Sequence, residues 1–137
     1  VALELTRLLS GDDALFVSNS MPVRDLESFA FPVTATDRGF TATANRGASG
    51  IDGIISTALG FSLAQAQYQN RRSTLLVGDM STLHDLSTLH VLESDRTFSA
   101  MAKIHHRPVT IVIINNGGGT IFDMLPIARY GTSVDFE

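Results

Sequence analysis

The feature that most limits the possible folds is an alternation of short apolar runs with stretches of helical periodicity. Residues 14–17 (ALFV), 73–77 (STLLV) and 109–114 (VTIVII) are short and apolar, which predicts strands. The second and third runs are typical of strands buried on both faces of a parallel sheet. From Ile51 to about Gln69, apolar residues recur at helical spacing, which predicts a packed helix.

Two further elements fit between these runs. Ser18, Asn19 and Ser20 offer N-cap side chains, and Pro22 suits the first turn of a helix predicted over about 23–29. Residues 40–44 predict another strand, followed by a glycine-rich loop at 45–50. Strands alternating with helices predict an open, mostly parallel α/β sheet with helices on both faces. Its ligand is expected beyond the carboxyl ends of the strands.

Composition narrows the class of protein. The 137 residues suit about one domain, the net charge is -4, and no run of Lys or Arg is longer than the pair Arg71-Arg72. These facts argue against nucleic-acid binding and give no indication of membrane association. The absence of Cys excludes thiolate metal sites and fits a reducing compartment, so the expected location is the cytoplasm. The longest apolar run is too short to span a bilayer.

Two polar side chains follow two of the predicted strands. Asp79 comes after the strand at 73–77, and Asn116 comes after the strand at 109–114. At one edge of a parallel sheet, this carboxylate and carboxamide can share Mg²⁺, which prefers oxygen ligands and commonly keeps phosphate oxygens among them. The glycines after Asn116 allow a backbone carbonyl, that of Gly118, to turn toward the same ion.

The same residues predict where a diphosphate would bind. The hydroxyl of Ser81 and the free amides of a helix starting after it can contact phosphate oxygens. The alternative interpretation is that Asp79 only caps a helix and Asn116 only occupies a turn. Their matched positions at two strand ends favour a shared site.

Three motifs carry a family resemblance. They are residues 45–53 (NRGASGIDG), residues 78–81 (GDMS) with Asp85-Leu86 downstream, and residues 118–122 (GGTIF) before Leu125-Pro126. The chain resembles the pyrophosphate-binding domain of thiamine-diphosphate enzymes. Over about residues 14–126 it is most similar to the family of 2-succinyl-5-enolpyruvyl-6-hydroxy-3-cyclohexene-1-carboxylate (SEPHCHC) synthases.

The resemblance implies roles for individual residues. The implied metal ligands are Asp79, Asn116 and Gly118; the implied cofactor-binding residues are Ile51, Gly78, Met80 and Ser81; the implied substrate-binding residues are Ser20, Arg24 and Arg46. Ile121 and Phe122 are implied as the apolar wall near the reacting carbon. Ile51 would support the bent conformation of the cofactor. Without the resemblance, the arginines are read as surface residues, and Ile121 and Phe122 as core residues.

The resemblance also implies an activity. With thiamine diphosphate and Mg²⁺, the family joins decarboxylated 2-oxoglutarate to isochorismate, giving SEPHCHC in menaquinone and phylloquinone biosynthesis. The catalytic glutamate of the superfamily belongs to a pyrimidine-binding domain, normally that of a neighbouring subunit. We therefore expect residues 1–137 to be a partial domain, inactive alone, of a homodimeric or homotetrameric parent. In a photosynthetic eukaryote, the plastid would replace the cytoplasm.

Two other functions are consistent with the sequence. One is a different thiamine-diphosphate decarboxylase or carboligase of the acetolactate-synthase type, and the other is a non-catalytic module that retains the fold. The chain also departs from the family pattern, because Met80 and Gly117 replace other residues and the segment from Asp79 to Asn116 is long. We assign the surplus to a surface insertion at about 93–102, which a loop would tolerate.

Overall fold

The computed structural model describes residues 1–30, 39–90 and 108–126 of the chain. Within these ranges the elements are, in chain order, helix α1 (Ala2–Leu8), strand β1 (Asp13–Val17), helix α2 (Met21–Phe29), strand β2 (Thr41–Ala44), helix α3 (Ile54–Gln69), strand β3 (Arg72–Gly78), helix α4 (Asp79–His84), a 3₁₀ turn (Leu86–Leu89), strand β4 (Val109–Ile114) and a second 3₁₀ turn (Thr120–Met124). The predicted insertion at 93–102 lies outside the described residues.

The described strands form one parallel sheet in the order β2-β1-β3-β4. This confirms the predicted α/β class. From β1 the chain adds β2 on one side, whereas from β3 it adds β4 on the other side, so the strand order reverses between β1 and β3. In open α/β sheets, such a reversal leaves a crevice at the carboxyl ends of the strands, where ligands bind.

Helices cover both faces of the sheet, as predicted. On one face, α3 packs Ile55 and Leu59 against Phe16 and Leu75. On the other face, α1 and α2 cover the buried residues Leu15, Val17 and Leu76. Neighbouring residues of β1 thus point to opposite faces, which follows from the two-residue period of a strand. Both faces are apolar because both are covered.

Three predicted features are wrong in detail. Helix α3 begins at Ile54 rather than Ile51, because Gly53 adopts a left-handed conformation with φ 66° and precedes the first helical turn. Helix α4 begins at Asp79, so Ser81 lies inside the helix and not before it. Ser20 occupies the N-cap of α2, but its side chain makes no capping hydrogen bond. Pro22 does lie at the start of that helix, as predicted.

Strand β4 is also less buried than predicted. It is the last strand in the described order, and its residues are half-buried or exposed, with Ile113 49% exposed. Strand β3 has neighbours on both sides and buries Leu75, Leu76 and Val77. A run of apolar residues therefore predicts the strand, but it does not predict whether the strand is central in the sheet and buried.

Within the three described ranges, no helix combines the length and the apolar character needed to cross a membrane.

Candidate functional site

Strands β3 and β4 bring the predicted site together at one edge of the sheet. They pair in parallel over six residue pairs, and the last pair matches Gly78 with Ile114. Asp79 directly follows Gly78, and Asn116 lies two residues after Ile114, so both leave the sheet at the same edge. Asp79 and Asn116, 37 positions apart, lie within hydrogen-bond distance of each other. The prediction that the two residues share one edge is confirmed.

The Asp79 carboxylate is held by the loop that follows β4. Its Oδ2 accepts hydrogen bonds from the backbone N–H groups of Asn116 (3.2 Å), Gly117 (3.2 Å) and Gly118 (3.0 Å). Three consecutive amides can point at one oxygen because Gly117 and Gly118 have φ angles of 86° and 121°. Such backbone angles favour glycine. The loop is therefore a receptor for an anionic oxygen, and Asp79 occupies it.

The other carboxylate oxygen is less engaged. Oδ1 of Asp79 accepts the N–H of Met80 at 2.7 Å, and no second hydrogen bond to it occurs in the described ranges. A carboxylate oxygen has about two lone-pair directions, so Oδ1 keeps one for another partner. A cation can therefore contact Asp79 without displacing the amides of the loop.

Two further oxygen donors lie in this loop. The side-chain amide nitrogen of Asn116 donates a hydrogen bond to Oγ1 of Thr120 at 2.6 Å. This contact identifies which end of the amide is the nitrogen, so the other end, Oδ1, is available as an acceptor. The carbonyl of Gly118 accepts the N–H of Thr120 at 2.9 Å and keeps its second lone pair. Together with Asp79 they form an all-oxygen donor set, the kind that Mg²⁺ prefers. The residues present fit the predicted metal.

A cavity of about 440 Å³ opens at this edge, between the ends of β1, β3 and β4. Its volume falls within the range typical of small-molecule sites. Every predicted site residue except Arg46 lines it: Ser20, Arg24, Ile51, Gly78, Asp79, Met80, Ser81, Asn116, Gly118, Ile121 and Phe122. The sheet reversal between β1 and β3 explains the location, because residues following both strands contribute to the walls.

The turn after β1 has an unusual backbone. Ser20 has φ 70°, a left-handed angle that is uncommon for a residue other than glycine. Its carbonyl accepts a hydrogen bond from Nη1 of Arg24 at 2.8 Å, one helical turn later. Arg24 is exposed and lines the cavity, so this contact orients a cationic side chain at the rim. Backbone strain of this kind concentrates at functional sites.

Of the two predicted site residues in the segment before α3, one lines the cavity and the other does not. Ile51 is half-buried in the turn that precedes Gly53 and lines the cavity. Arg46 is exposed and lies outside the lining residues. The structure therefore brings Ile51 to the predicted site and does not bring Arg46 to it.

Three polar residues that line the cavity, Asn19, Ser49 and Thr120, are not among the predicted site residues. The sequence offers Asn19 only as a possible helix cap, but Asn19 is 2% exposed and lines the cavity. Its side-chain nitrogen donates to the carbonyl of Gly50 at 2.9 Å, which ties the turn after β1 to the glycine-rich loop. A signal was available, because Asn19 lies directly before Ser20, which was assigned to the site. Asn, Ser and Gly after a strand commonly mark such turns.

Comparison with known proteins identifies close relatives over nearly the whole chain. The SEPHCHC synthase of Pelodictyon phaeoclathratiforme is 44% identical over 126 residues, 92% of this chain and 18% of that protein. The SEPHCHC synthases of Geobacillus thermodenitrificans (45% over 130 residues, 95% and 19%) and Rubrobacter xylanophilus (43% over 131 residues, 96% and 20%) are similar. The chain thus spans about one fifth of the curated relatives it matches. No family model matches the chain.

Proposed function

The chain belongs by sequence to the 2-succinyl-5-enolpyruvyl-6-hydroxy-3-cyclohexene-1-carboxylate synthase family, and from this premise we propose that it binds the metal and diphosphate of a thiamine-diphosphate enzyme. The observation that carries the proposal is the contact of the Asp79 carboxylate with the loop of Asn116 and Gly118. That contact brings together, at the end of two adjacent strands, the three residues that carry the candidate oxygen ligands. The parent protein would act in the menaquinone pathway, or in its phylloquinone counterpart.

Residues of β3 and α4 would surround the diphosphate. Asp79, Asn116 and Gly118 would hold Mg²⁺, and the cation would share oxygens of the diphosphate. Gly78, Met80 and Ser81 line the cavity next to Asp79. The Ser81 side chain is buried in α4, so its hydroxyl can form a hydrogen bond with a bound diphosphate at little cost in desolvation.

Apolar residues would hold the organic part of the cofactor and exclude water. Thiamine diphosphate, when bound, supplies the electron sink for decarboxylation and carbon–carbon bond formation. Ile51 would lie beneath the cofactor, and Ile121 and Phe122 would form the wall at the reacting carbon. All three line the cavity. Their role is to keep water from protonating the reacting carbon before the second substrate adds.

The substrates we propose are 2-oxoglutarate and isochorismate, both of which carry carboxylates. Ser20 and Arg24 line the cavity and would contact isochorismate. Arg suits this role because its planar guanidinium can bind both oxygens of a carboxylate. Arg46 lies on the neighbouring loop and outside the lining, so its proposed contact requires a substrate that extends beyond the cavity.

We also propose that the active unit needs a second protein surface. The relatives are about five times as long as this chain, and the chain itself would supply the metal and diphosphate residues. A pyrimidine-binding domain of a neighbouring subunit would complete the cofactor site, in a homodimer or homotetramer. The chain alone would then be inactive.

The direct test is product formation by the intact protein that carries this chain, from isochorismate and 2-oxoglutarate with Mg²⁺ and thiamine diphosphate. We expect SEPHCHC. Carboligation of pyruvate, with isochorismate left unused, would indicate the acetolactate-synthase type of enzyme. Failure to bind the cofactor at all, by a folded protein, would indicate a non-catalytic module.

A further inference from the structure

A second carboxylate joins the two segments that flank the candidate site. Asp85 directly follows α4, the helix that begins with Asp79, and is only 7% exposed. It accepts hydrogen bonds from the backbone N–H of Ser56 (2.8 Å) and from the hydroxyls of Ser56 (3.0 Å) and Thr88. The cavity lining does not include Asp85. Its contacts are therefore structural, and they join α4 to the first turn of α3.

Helix α3 depends on this contact for its N-terminus. Its own N-cap is Gly53, which has no side chain to cap with, and the first hydrogen bond within the helix is from the N–H of Thr57 to the Gly53 carbonyl. The amides before Thr57 have no partner within the helix. Asp85 accepts the amide of Ser56 from outside the helix. A carboxylate at this end also interacts favourably with the helix dipole.

A neighbouring contact joins the same two segments. Nδ1 of His84 lies 3.1 Å from Oδ1 of Asp52, in the turn between Ile51 and α3. Both of these side chains are largely exposed, so this contact is the weaker of the two. The buried carboxylate of Asp85 is the stronger, since it accepts several hydrogen bonds away from solvent.

From these contacts we infer that Asp85 is a positioning residue, which fixes the turn of Ile51 relative to the helix of Asp79. Ile51, in the turn before α3, and Asp79, the first residue of α4, line the same cavity, and in the described ranges Asp85 is the buried polar connection between α3 and the end of α4. The inference rests on the proposed function. In that function, Asp85 would maintain the distance between the metal ligand Asp79 and Ile51, the apolar residue beneath the cofactor.

The chain contains a matched control. Asp13 is 6% exposed, accepts hydrogen bonds from the N–H (2.8 Å) and hydroxyl (2.7 Å) of Ser10, and pairs with Arg72. It lies at the first residue of β1, at the opposite edge of the sheet from the cavity. Asp13→Asn and Asp85→Asn therefore remove the same charge from similar surroundings, and only the second is connected to the site.

The experiment compares these variants in the intact protein that carries the chain. We expect Asp85→Asn to weaken thiamine-diphosphate binding with saturating Mg²⁺ by about tenfold, the lower end of the effect typical of residues that orient metal ligands. Asp13→Asn should change it by less than about twofold, since sites without shared partners act independently. Calorimetry measures both. Equal affinity in the two variants would overturn the inference.

A second measurement does not need the cofactor. Hydrogen exchange of a peptide covering residues 50–57 reports local opening at the start of α3. We expect faster exchange there in Asp85→Asn and unchanged exchange in Asp13→Asn, and the opposite pattern would overturn the inference. If the unmutated protein binds no cofactor, the proposed function fails while this measurement still decides the role of Asp85.

A milder variant protects the test against misfolding. Ser56→Ala removes one hydroxyl donor to Asp85 and leaves the backbone amide and the carboxylate in place. We expect an affinity loss of about threefold, in line with the small net value of one hydrogen bond. Faster exchange at 50–57 should accompany it, and the absence of both effects would contradict the positioning role.

Discussion

The Asp79 carboxylate accepts a hydrogen bond from the backbone N–H of Asn116 at 3.2 Å, across 37 positions of sequence. The contact exists because β3 and β4 are adjacent and parallel, with Gly78 in register with Ile114. The fold therefore determines the geometry of the site, because the pairing of two strands sets the distance between two predicted metal ligands.

Gly118→Ala should destabilise the protein by about 1–3 kcal/mol, because the φ of 121° at Gly118 is strained for any residue with a Cβ. Among the residues that the structure describes, the added Cβ would meet no atom within 4 Å, so the expected cost comes from the backbone conformation. Urea unfolding of the intact protein measures it. Gly60→Ala is the control, because Gly60 is inside α3 with similarly open space.

The control should change stability in the other direction. Alanine is favoured over glycine in a helix, so Gly60→Ala should stabilise by about 0.5–1 kcal/mol. If both variants had the same effect, the loop around Asp79 would not need its glycine.

Arg24→Ala should raise the KM for isochorismate by about tenfold or more, the usual value of a hydrogen bond between charged groups. The affinity for thiamine diphosphate should stay within about twofold, because Arg24 is proposed to contact isochorismate and makes its hydrogen bond to the Ser20 carbonyl, not to the residues assigned to the diphosphate. Steady-state kinetics and calorimetry separate the two. Arg7→Ala is the control, since Arg7 pairs with Glu4 on α1 and does not line the cavity.

Arg46→Ala tests the residue that the structure leaves outside the cavity lining. If Arg46 contacts isochorismate, its loss should raise the same KM and leave cofactor affinity intact. An unchanged KM in both arginine variants, with cofactor binding kept, would show that neither arginine binds isochorismate.

Stability should fall in acid because of Asp85 and Asp13. Burial opposes ionisation of both carboxyls, but hydrogen bonds outweigh it and leave both pKa values below the ordinary 3.8. For Asp85 these bonds come from Thr88, Ser56 and Ile55. A depressed folded-state pKa contributes stability that is complete above the unfolded pKa and is lost as the pH falls through the folded value.

The measurement is the free energy of unfolding in urea between pH 7 and pH 3. We expect a decline below about pH 4 that is shallower in the variant carrying both Asp13→Asn and Asp85→Asn. Identical pH dependence in the two proteins would show that these carboxylates do not contribute.

The sequence predicts the fold and the site best where a local pattern of residues is enough to identify an element or its end. Alternating apolar runs predicted the parallel sheet, and a carboxylate after one strand with an amide after another predicted their contact. The sequence predicts burial and element boundaries less well where they depend on residues that are distant in the chain. Nothing in residues 109–114 shows that β4 is the last described strand, and Ile51 fits the helical period although Gly53 separates it from α3.

Asp85 illustrates the same limit. In the sequence it is one acidic residue near the end of a short helix, and only the coordinates place it at the amide of Ser56, 29 positions earlier. The sequence neighbours of Asn19 likewise indicate only a possible helix cap. Its contact with Gly50 depends on a loop that begins on another strand.

The most direct measurement is calorimetric titration of the intact protein with thiamine diphosphate, with and without Mg²⁺, in the unmutated form and in Asp79→Ala. We expect binding that requires Mg²⁺ and is abolished by Asp79→Ala, because the substitution removes the charged ligand. Binding that is independent of Mg²⁺, or that survives Asp79→Ala unchanged, would contradict this expectation.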